Sequence, residues 1–358
     1  MDTITHAISG AVIGAATGNR HPDKAEIRRR TAWGAAFAAF PDIDFLMVFF
    51  VDTFTYLNEH RALTHSVVLL PAWAALLGAL AASFAPRAEF RKEFRNFGML
   101  AAVALAAHIL GDLITSYGTR ILSPLDWTPF AFPITFIIDP IFTGILLAGL
   151  VVALWRLSSI PAMAAGLLLF AYLGLQVGAR QAAEEIGHDK VAAEGWNSAI
   201  VVAFPQPLSP MHWSVVIIHD GVYERSFIDL LESEARPRPA ADAGVASQAQ
   251  AAYRPVDDAR WFTFPRWPEN YLVKEKAQIA WYQDEFEGFR EFALLPYVTR
   301  MKTVGEELCV WTADLRFSMP VRNNPFEYAM CQSLDGQWRL LDSSVADLAG
   351  SIASGEMD

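Results

Sequence analysis

Residues 66–85 read SVVLLPAWAALLGALAASFA, a run with no charged side chain. At a rise of 1.5 Å per residue, a helix of roughly 20 apolar residues crosses the ~30 Å hydrocarbon layer of a bilayer. A second charge-free run, IPAMAAGLLLFAYLGLQVGA, occupies 160–179. Less uniform apolar segments lie at 2–18, 31–51, 97–117 and 134–156. The pattern predicts an α-helical membrane domain of about six transmembrane helices over 1–179. Composition agrees, since 53% of the 358 residues are hydrophobic and the mean hydropathy is +0.24. Gly and Ala recur in these segments, as expected where membrane helices approach closely. The opening MDTITHAISGAVIGAATG has no basic residue before its apolar stretch. It reads as a first membrane segment rather than a cleaved signal peptide.

The loops set an expected orientation. Arg20, Lys24, Arg28, Arg29 and Arg30 fall in one loop, and Arg87, Arg91, Lys92 and Arg95 in another. The alternate loops, 52–63 and 118–133, carry only Arg61 and Arg120. The positive-inside rule places the basic loops in the cytoplasm. Six spans would then put the C-terminal region on the outer face of the membrane.

From residue 180 the character changes. After a polar, helix-compatible stretch come strand-like runs at 198–204, 213–221, 222–230, 279–283, 307–317, 326–334 and 337–342. Asp220-Gly221 and Asp335-Gly336 are hairpin signals. The Ala-, Pro- and Gln-rich stretch 235–255 reads as a flexible insertion. The expectation is a small β-rich extramembrane domain over 180–358.

Set among the apolar segments are imidazoles and carboxylates: His6 in THA, Asp42 and Asp44 in PDID, His60 and His65 in HRALTHS, His108 and Asp112 in HILGD, and Asp139 in IDP. A charged side chain near the bilayer centre costs roughly 2.5–3.5 kcal/mol on insertion scales. In the predicted topology all of these residues fall in the outer half of the membrane. Imidazole and carboxylate together suit a divalent metal, zinc foremost. Seven candidate ligands, His6, Asp42, His60, His65, His108, Asp112 and Asp139, exceed one tetrahedral site, so two or more ions are expected.

Each residue also has a plainer structural role open to it. His108 and Asp112, one helical turn apart, could form a buried ion pair. His60 could be a solvated loop residue, and Thr64 could cap the third span. Asp42 and Asp44 diverge by about 200° on a regular helix, and Pro41 makes irregular backbone plausible there. Asp139 precedes Pro140, a common helix-capping arrangement. Arg61 could be a solvated interfacial cation.

The net charge of −11 argues against a basic nucleic-acid surface, so no nucleic-acid partner is expected. The two cysteines, Cys309 and Cys331, lack metal-binding spacing and could pair only in an oxidising compartment. No Gly-rich phosphate loop, GxSxG or HExxH is present.

In order, THAISGA, PDID, HRALTHS, HILGDLITSYGT and IDP resemble the bacterial membrane-bound metal-dependent hydrolases of the YdjM/YbcI type. The resemblance covers about 1–155 and, less sharply, PQPLSPMHW at 205–213. That family is in turn distantly similar to zinc-dependent phospholipase C and single-strand nucleases. The resemblance implies His108 and Asp112, with Asp42, His60 and His65, as ligands, and phosphoester hydrolysis as the activity. His6 stands where those enzymes use an N-terminal ligand, and Asp139 is the one downstream match.

The expected function is hydrolysis of a lipid or lipid-linked phosphate by a metal-activated water. Asp42 or Asp44 would orient the water or take its proton, and Arg61 would stabilise developing negative charge. Membrane lipid is the expected partner; the residues point to no protein partner. The alternatives are an intramembrane ion or proton transporter or sensor, and a metal-stabilised structural anchor.

Overall fold

The structure is a computed structural model that describes residues 1–341 apart from 238, 241 and 242. The chain forms two compact units, Met1–Ala183 with Ala203–Trp213, and Glu184–Val202 with the chain from Ser214 onward.

The first unit is helical. α1 (Thr3–Ala16) starts at Asp2, whose carboxylate accepts the Thr5 N–H, and α2 (Lys24–Ala39) starts at Asp23 in the same way. Pro41 then ends the regular helix, and a 3-10 helix continues over Phe40–Phe49. After α3 (Thr53–Glu59) and a 3-10 turn at Leu63–His65 come α4 (Leu70–Ser83), α5 (Phe90–Leu113), α6 (Pro140–Arg156) and α7 (Ile160–Glu194). Helix α7 carries the polar stretch after residue 180 as an unbroken continuation of the last apolar run.

Among the described residues, three helical stretches are long and apolar enough to cross a membrane: Lys24–Phe49, Arg87–Leu113 and Ile160–Glu194. A fourth exists if Thr53–His65 and Leu70–Ser83 count as one span bent by 70°. The expected count of about six is therefore not confirmed. α1 and α6, with 14 and 17 residues, rise only about 21 and 25 Å. The run 66–85 is itself shorter as a helix than as an apolar sequence. The Ser66 hydroxyl accepts from the backbone of Val68 and Leu69 at 3.1 and 3.2 Å, and regular helix begins only at Leu70, next to Pro71. Ser66, not Thr64, closes the turn that leads into that helix, whose own start has no side-chain cap. Apolar residues face outward along these helices; Leu167 and Phe170 are 75% and 77% exposed, which suits lipid as the surrounding solvent.

Close approach of small residues holds the helices together. A Cβ on Gly10 of α1 would fall on the carbonyl of Gly34 in α2, so these backbones touch only because both residues are glycine. Phe37, Leu77, Phe97 and Leu105 fill the core between α2, α4 and α5. Val12, Phe142, Leu146 and Tyr172 fill a second core among α1, α6 and α7.

The second unit carries most of two four-stranded sheets. The first orders β1 (Ile200–Pro205), β2 (His212–His219), β3 (Val222–Asp229) and β4 (Phe262–Pro265) side by side. The second orders β5 (Pro296–Val304), β6 (Glu307–Asp314), β7 (Glu327–Gln332) and β8 (Trp338–Leu340), with antiparallel neighbours. Asp220 and Gly221, both with positive φ (46° and 76°), make the β2–β3 turn, as a two-residue hairpin requires.

Three helices accompany the sheets: α8 (Val245–Ala252), α9 (Tyr271–Trp281) and α10 (Glu287–Phe292). The run 279–283, expected as a strand, instead ends α9, whose Ala277, Ala280 and Trp281 are buried at helical spacing. Of the insertion read at 235–255, residues 238, 241 and 242 lie outside the described residues, and α8 occupies Val245–Ala252. Residue 342, the end of the last strand-like run, also lies outside them. Cys309 and Cys331 sit opposite each other on β6 and β7 and form a disulfide.

Candidate metal centre

Asp42, His65, His108 and Asp112 converge from the 3-10 helix after α2, the turn before α4, and the last turns of α5. One ligand atom from each lies within 4.8 Å of all the others. His65 Nε2 and His108 Nε2 are 2.9 Å apart. Asp112 Oδ2 lies 3.1 and 3.2 Å from them, and Asp42 Oδ1 lies 3.7 and 3.5 Å away. Tetrahedral ligands bound at 2.0–2.1 Å would stand about 3.3 Å apart, so these spacings fit one ion.

Tautomer chemistry strengthens the fit. His108 Nδ1 is 2.5 Å from the Ala38 carbonyl. A carbonyl only accepts, so Nδ1 carries the proton and the neutral ring leaves a lone pair on Nε2. His65 Nδ1 lies 2.9 Å from Thr64 Oγ1, and that hydroxyl donates to Asp44 Oδ2 at 3.3 Å. This chain puts the His65 proton on Nδ1 as well. Two imidazole lone pairs and two carboxylates then face one another in a dry interior, since His65, His108 and Asp112 are all at most 1% exposed. Asp42 Oδ2 and Asp112 Oδ2 have no hydrogen-bond donor among the described residues. Such an array repels itself unless a cation lies among its members. These four residues could hold a metal ion.

The other predicted residues take different places. Asp44 is buried and binds its surroundings rather than the cluster's centre. It accepts from His60 Nδ1 at 3.0 Å and from the Arg61 backbone N–H at 2.9 Å, besides Thr64. Asp42 and Asp44 thus approach opposite ring nitrogens of His65, which turns their divergence along the chain into a grip on one imidazole. His60 is tied to Asp44 and does not reach the group of four.

Arg61 is buried, not solvated, and its left-handed backbone (φ 63°) turns the side chain inward. Its guanidinium lies 3.0 Å from Asp112 Oδ1, donates to Thr115 Oγ1 at 3.0 Å and rests on the Tyr117 ring. His6 stacks on His108 with ring centroids 3.7 Å apart and places Nε2 3.2 Å from Asp112 Oδ1. The Met1 amine meets the same oxygen.

Asp139 is not brought to this group. It caps α6 through the N–H groups of Ile141 and Phe142. Its second oxygen accepts from Thr135, Tyr172 and Gln176 at 3.0, 2.7 and 2.9 Å. A second candidate group, Glu307, Cys309 and Cys331, loses its thiolates to the disulfide.

A family model described as YdjM inner membrane protein matches residues 1–183, just over half of the chain and all four clustered residues. The chain belongs to this family. It is an inner-membrane protein by its family, and its apolar helices agree. Among curated proteins, the uncharacterized protein YfhP of Bacillus subtilis (strain 168) is 26% identical over 205 residues, 53% of this chain and 59% of the relative. The match therefore spans less than two thirds of that relative's length. No solved structure matches.

Sequence reasoning missed the atoms that orient the ligands. Thr64 is legible as a hydroxyl beside His65, and its position in the sequence suggests only a helix cap. The Ala38 carbonyl and the Met1 amine carry no signal in a side-chain pattern. Gly111 is visible only in the structure, where a Cβ would stand 3.0 Å from His6 Cε1.

Proposed function

We propose that this protein is a metal-dependent membrane hydrolase that cleaves a phosphoester in a lipid or lipid-linked substrate. The observation that carries this reading is the double position of Asp42. It belongs to the group of four and also lines an apolar groove of about 490 Å³. Trp33, Phe40, Phe45, Leu77 and Leu80 form much of the wall, with Thr3 near the polar end. A hydrocarbon chain in that groove would bring its phosphate head to Asp42. Asp42, His65, His108 and Asp112 would hold one divalent ion, zinc by its ligand preference. His60, Asp44 and Asp139, which a second ion would have needed, are engaged elsewhere. A bound metal would supply Lewis acidity and an acidified water at neutral pH.

The chain's own groups have distinct tasks. Asp42 keeps one oxygen without a donor and is the group suited to take a proton. Asp44 acts at one remove, fixing the His65 ring through Thr64, as a carboxylate behind a metal-binding histidine does. Arg61 offsets the charge of Asp112 and adds positive potential for an incoming phosphate. The Cys309–Cys331 bridge supports placing the β-rich unit in the oxidising periplasm.

The test is metal analysis of purified protein, with release of phosphorylated head groups from phospholipid micelles. About one zinc per chain is expected, with activity removed by chelation and by His65→Ala while the fold persists. Full hydrolysis by metal-free protein would sink the proposal. Unfolding on chelation without any hydrolysis beforehand would favour a structural metal instead.

A further inference from the structure

The membrane unit is bipolar. Along α1, α2 and α5, His6, Asp42 and Asp112 lie toward one end, and Thr17, Arg30 and Arg95 toward the other. At that other end lies a second groove, of about 340 Å³, lined by Arg30, Arg95 and Asn96 and then by Met99, Leu100 and Val103. We propose that this groove binds an anionic phospholipid, its phosphate held by Arg30 and Arg95 and its upper acyl chain lying along Met99 and Val103.

The two halves of the groove match the two halves of such a lipid. From Arg95 to Val103 the α5 surface passes from cationic to apolar over about 12 Å. Met99 and Val103 are 67% and 41% exposed, so an apolar occupant has surface to cover. Arg30 is fixed in place, since Nε donates to the Gly14 carbonyl and Nη2 to the Thr17 carbonyl and hydroxyl, at 3.2, 3.1 and 2.8 Å. Its Nη1 meets no acceptor among the described residues and stays available to a phosphate oxygen. Arg95 is exposed.

The nearest acids are already engaged, Glu26 by Asn19 and Glu93 by Arg29. Neither of them, nor any other carboxylate, is among the residues that line the groove, where the cationic group of a zwitterionic lipid would need one. A free phosphate would use the arginines and leave the apolar wall uncovered. Basic pockets between membrane helices suit anionic head groups for these reasons. The site does not rest on the hydrolase reading. Asn96 and Asp112, on the same helix, are about 24 Å apart.

The experiment uses the full chain in mild detergent, titrated with phosphatidylglycerol, phosphatidylcholine or inorganic phosphate. Native mass spectrometry and thermal unfolding report binding. Phosphatidylglycerol should bind and raise the melting temperature, whereas phosphatidylcholine and inorganic phosphate at equal concentration should do neither. Arg95→Gln should weaken binding about fivefold, the effect of one charge near an anionic head group. Met99→Glu should weaken it further, and neither variant should change metal content. Equal binding of the two lipids, equal protection by phosphate, or unchanged binding in Arg95→Gln would overturn the proposal. Arg95 is exposed and its variant is expected to fold, so the result stands even if Met99→Glu does not fold.

Discussion

Asp112 and Asp139 are both buried carboxylates near the ends of apolar helices, and their surroundings are opposite in kind. Every group around Asp139 donates: two backbone N–H groups, two hydroxyls and an amide. Around Asp112 the two oxygens divide the work. Oδ1 meets cations and His6, while Oδ2 faces imidazole nitrogens that carry lone pairs. Burial alone therefore does not identify a ligand. The ratio of donors to acceptors around each oxygen does, because only a surplus of acceptors calls for an added cation.

The largest expected effect follows from breaking the acceptor-rich side. Asp112→Asn should abolish metal binding and also leave the buried Arg61 guanidinium without its counter-charge. Removing one partner of a buried ion pair costs about 3–5 kcal/mol. Metal content by elemental analysis and thermal unfolding in detergent should both show the loss. A variant that keeps a full complement of metal would mean that Oδ2 faces the histidines for some other reason.

Asp44→Asn probes the next layer. The amide keeps the shape but weakens acceptance from His60, Arg61 and Thr64, so the His65 ring loses its anchor. Removing such a partner behind a metal ligand lowers affinity about 10–100-fold. Competition with a chelator should read that shift, with the fold retained. An unchanged affinity would show that the packing of His65 against His60 and His108 is enough to hold the ring.

How much of this was legible depends on what each residue needs. The pair His108/Asp112 could be read because both belong to one helix, where a four-residue spacing fixes a common face. His65 and Asp42 were legible as metal-type residues in apolar surroundings, and the structure brings them to that pair. Asp139 had the same chemistry and the same apolar neighbours. What set it apart was Tyr172 and Gln176, which arrive from a helix more than thirty residues downstream. The expected span count is not confirmed, for a related reason. Hydropathy reports apolar length, but Ser66 and Pro71 within 66–85, and Asp139 and Pro140 at the start of α6, decide how much of that length is regular helix. In the β-rich unit, Asp220-Gly221 was readable because its turn demands positive φ. The run 279–283 was not, because five apolar and polar residues fit a helix end as well as a strand.

The smallest effect on metal should come from Asp139, and it tests the comparison from the other side. Asn caps helices about as well as Asp, so Asp139→Asn should keep the start of α6. Its amide would then face Tyr172 and Gln176. Gln176 Oε1 is buried without a partner, and a flip of that side chain would let it accept the new N–H. The cost should be about 1 kcal/mol, close to one net hydrogen bond. Asp139→Ala has no such remedy; it loses the cap and strands the Tyr172 hydroxyl, so about 2–4 kcal/mol is expected. Both variants should bind metal as tightly as the parent protein in the same chelator competition. If Asp139→Asn loses metal while folding normally, Asp139 acts on the cluster after all, and donor count around a carboxylate does not separate caps from ligands in this protein.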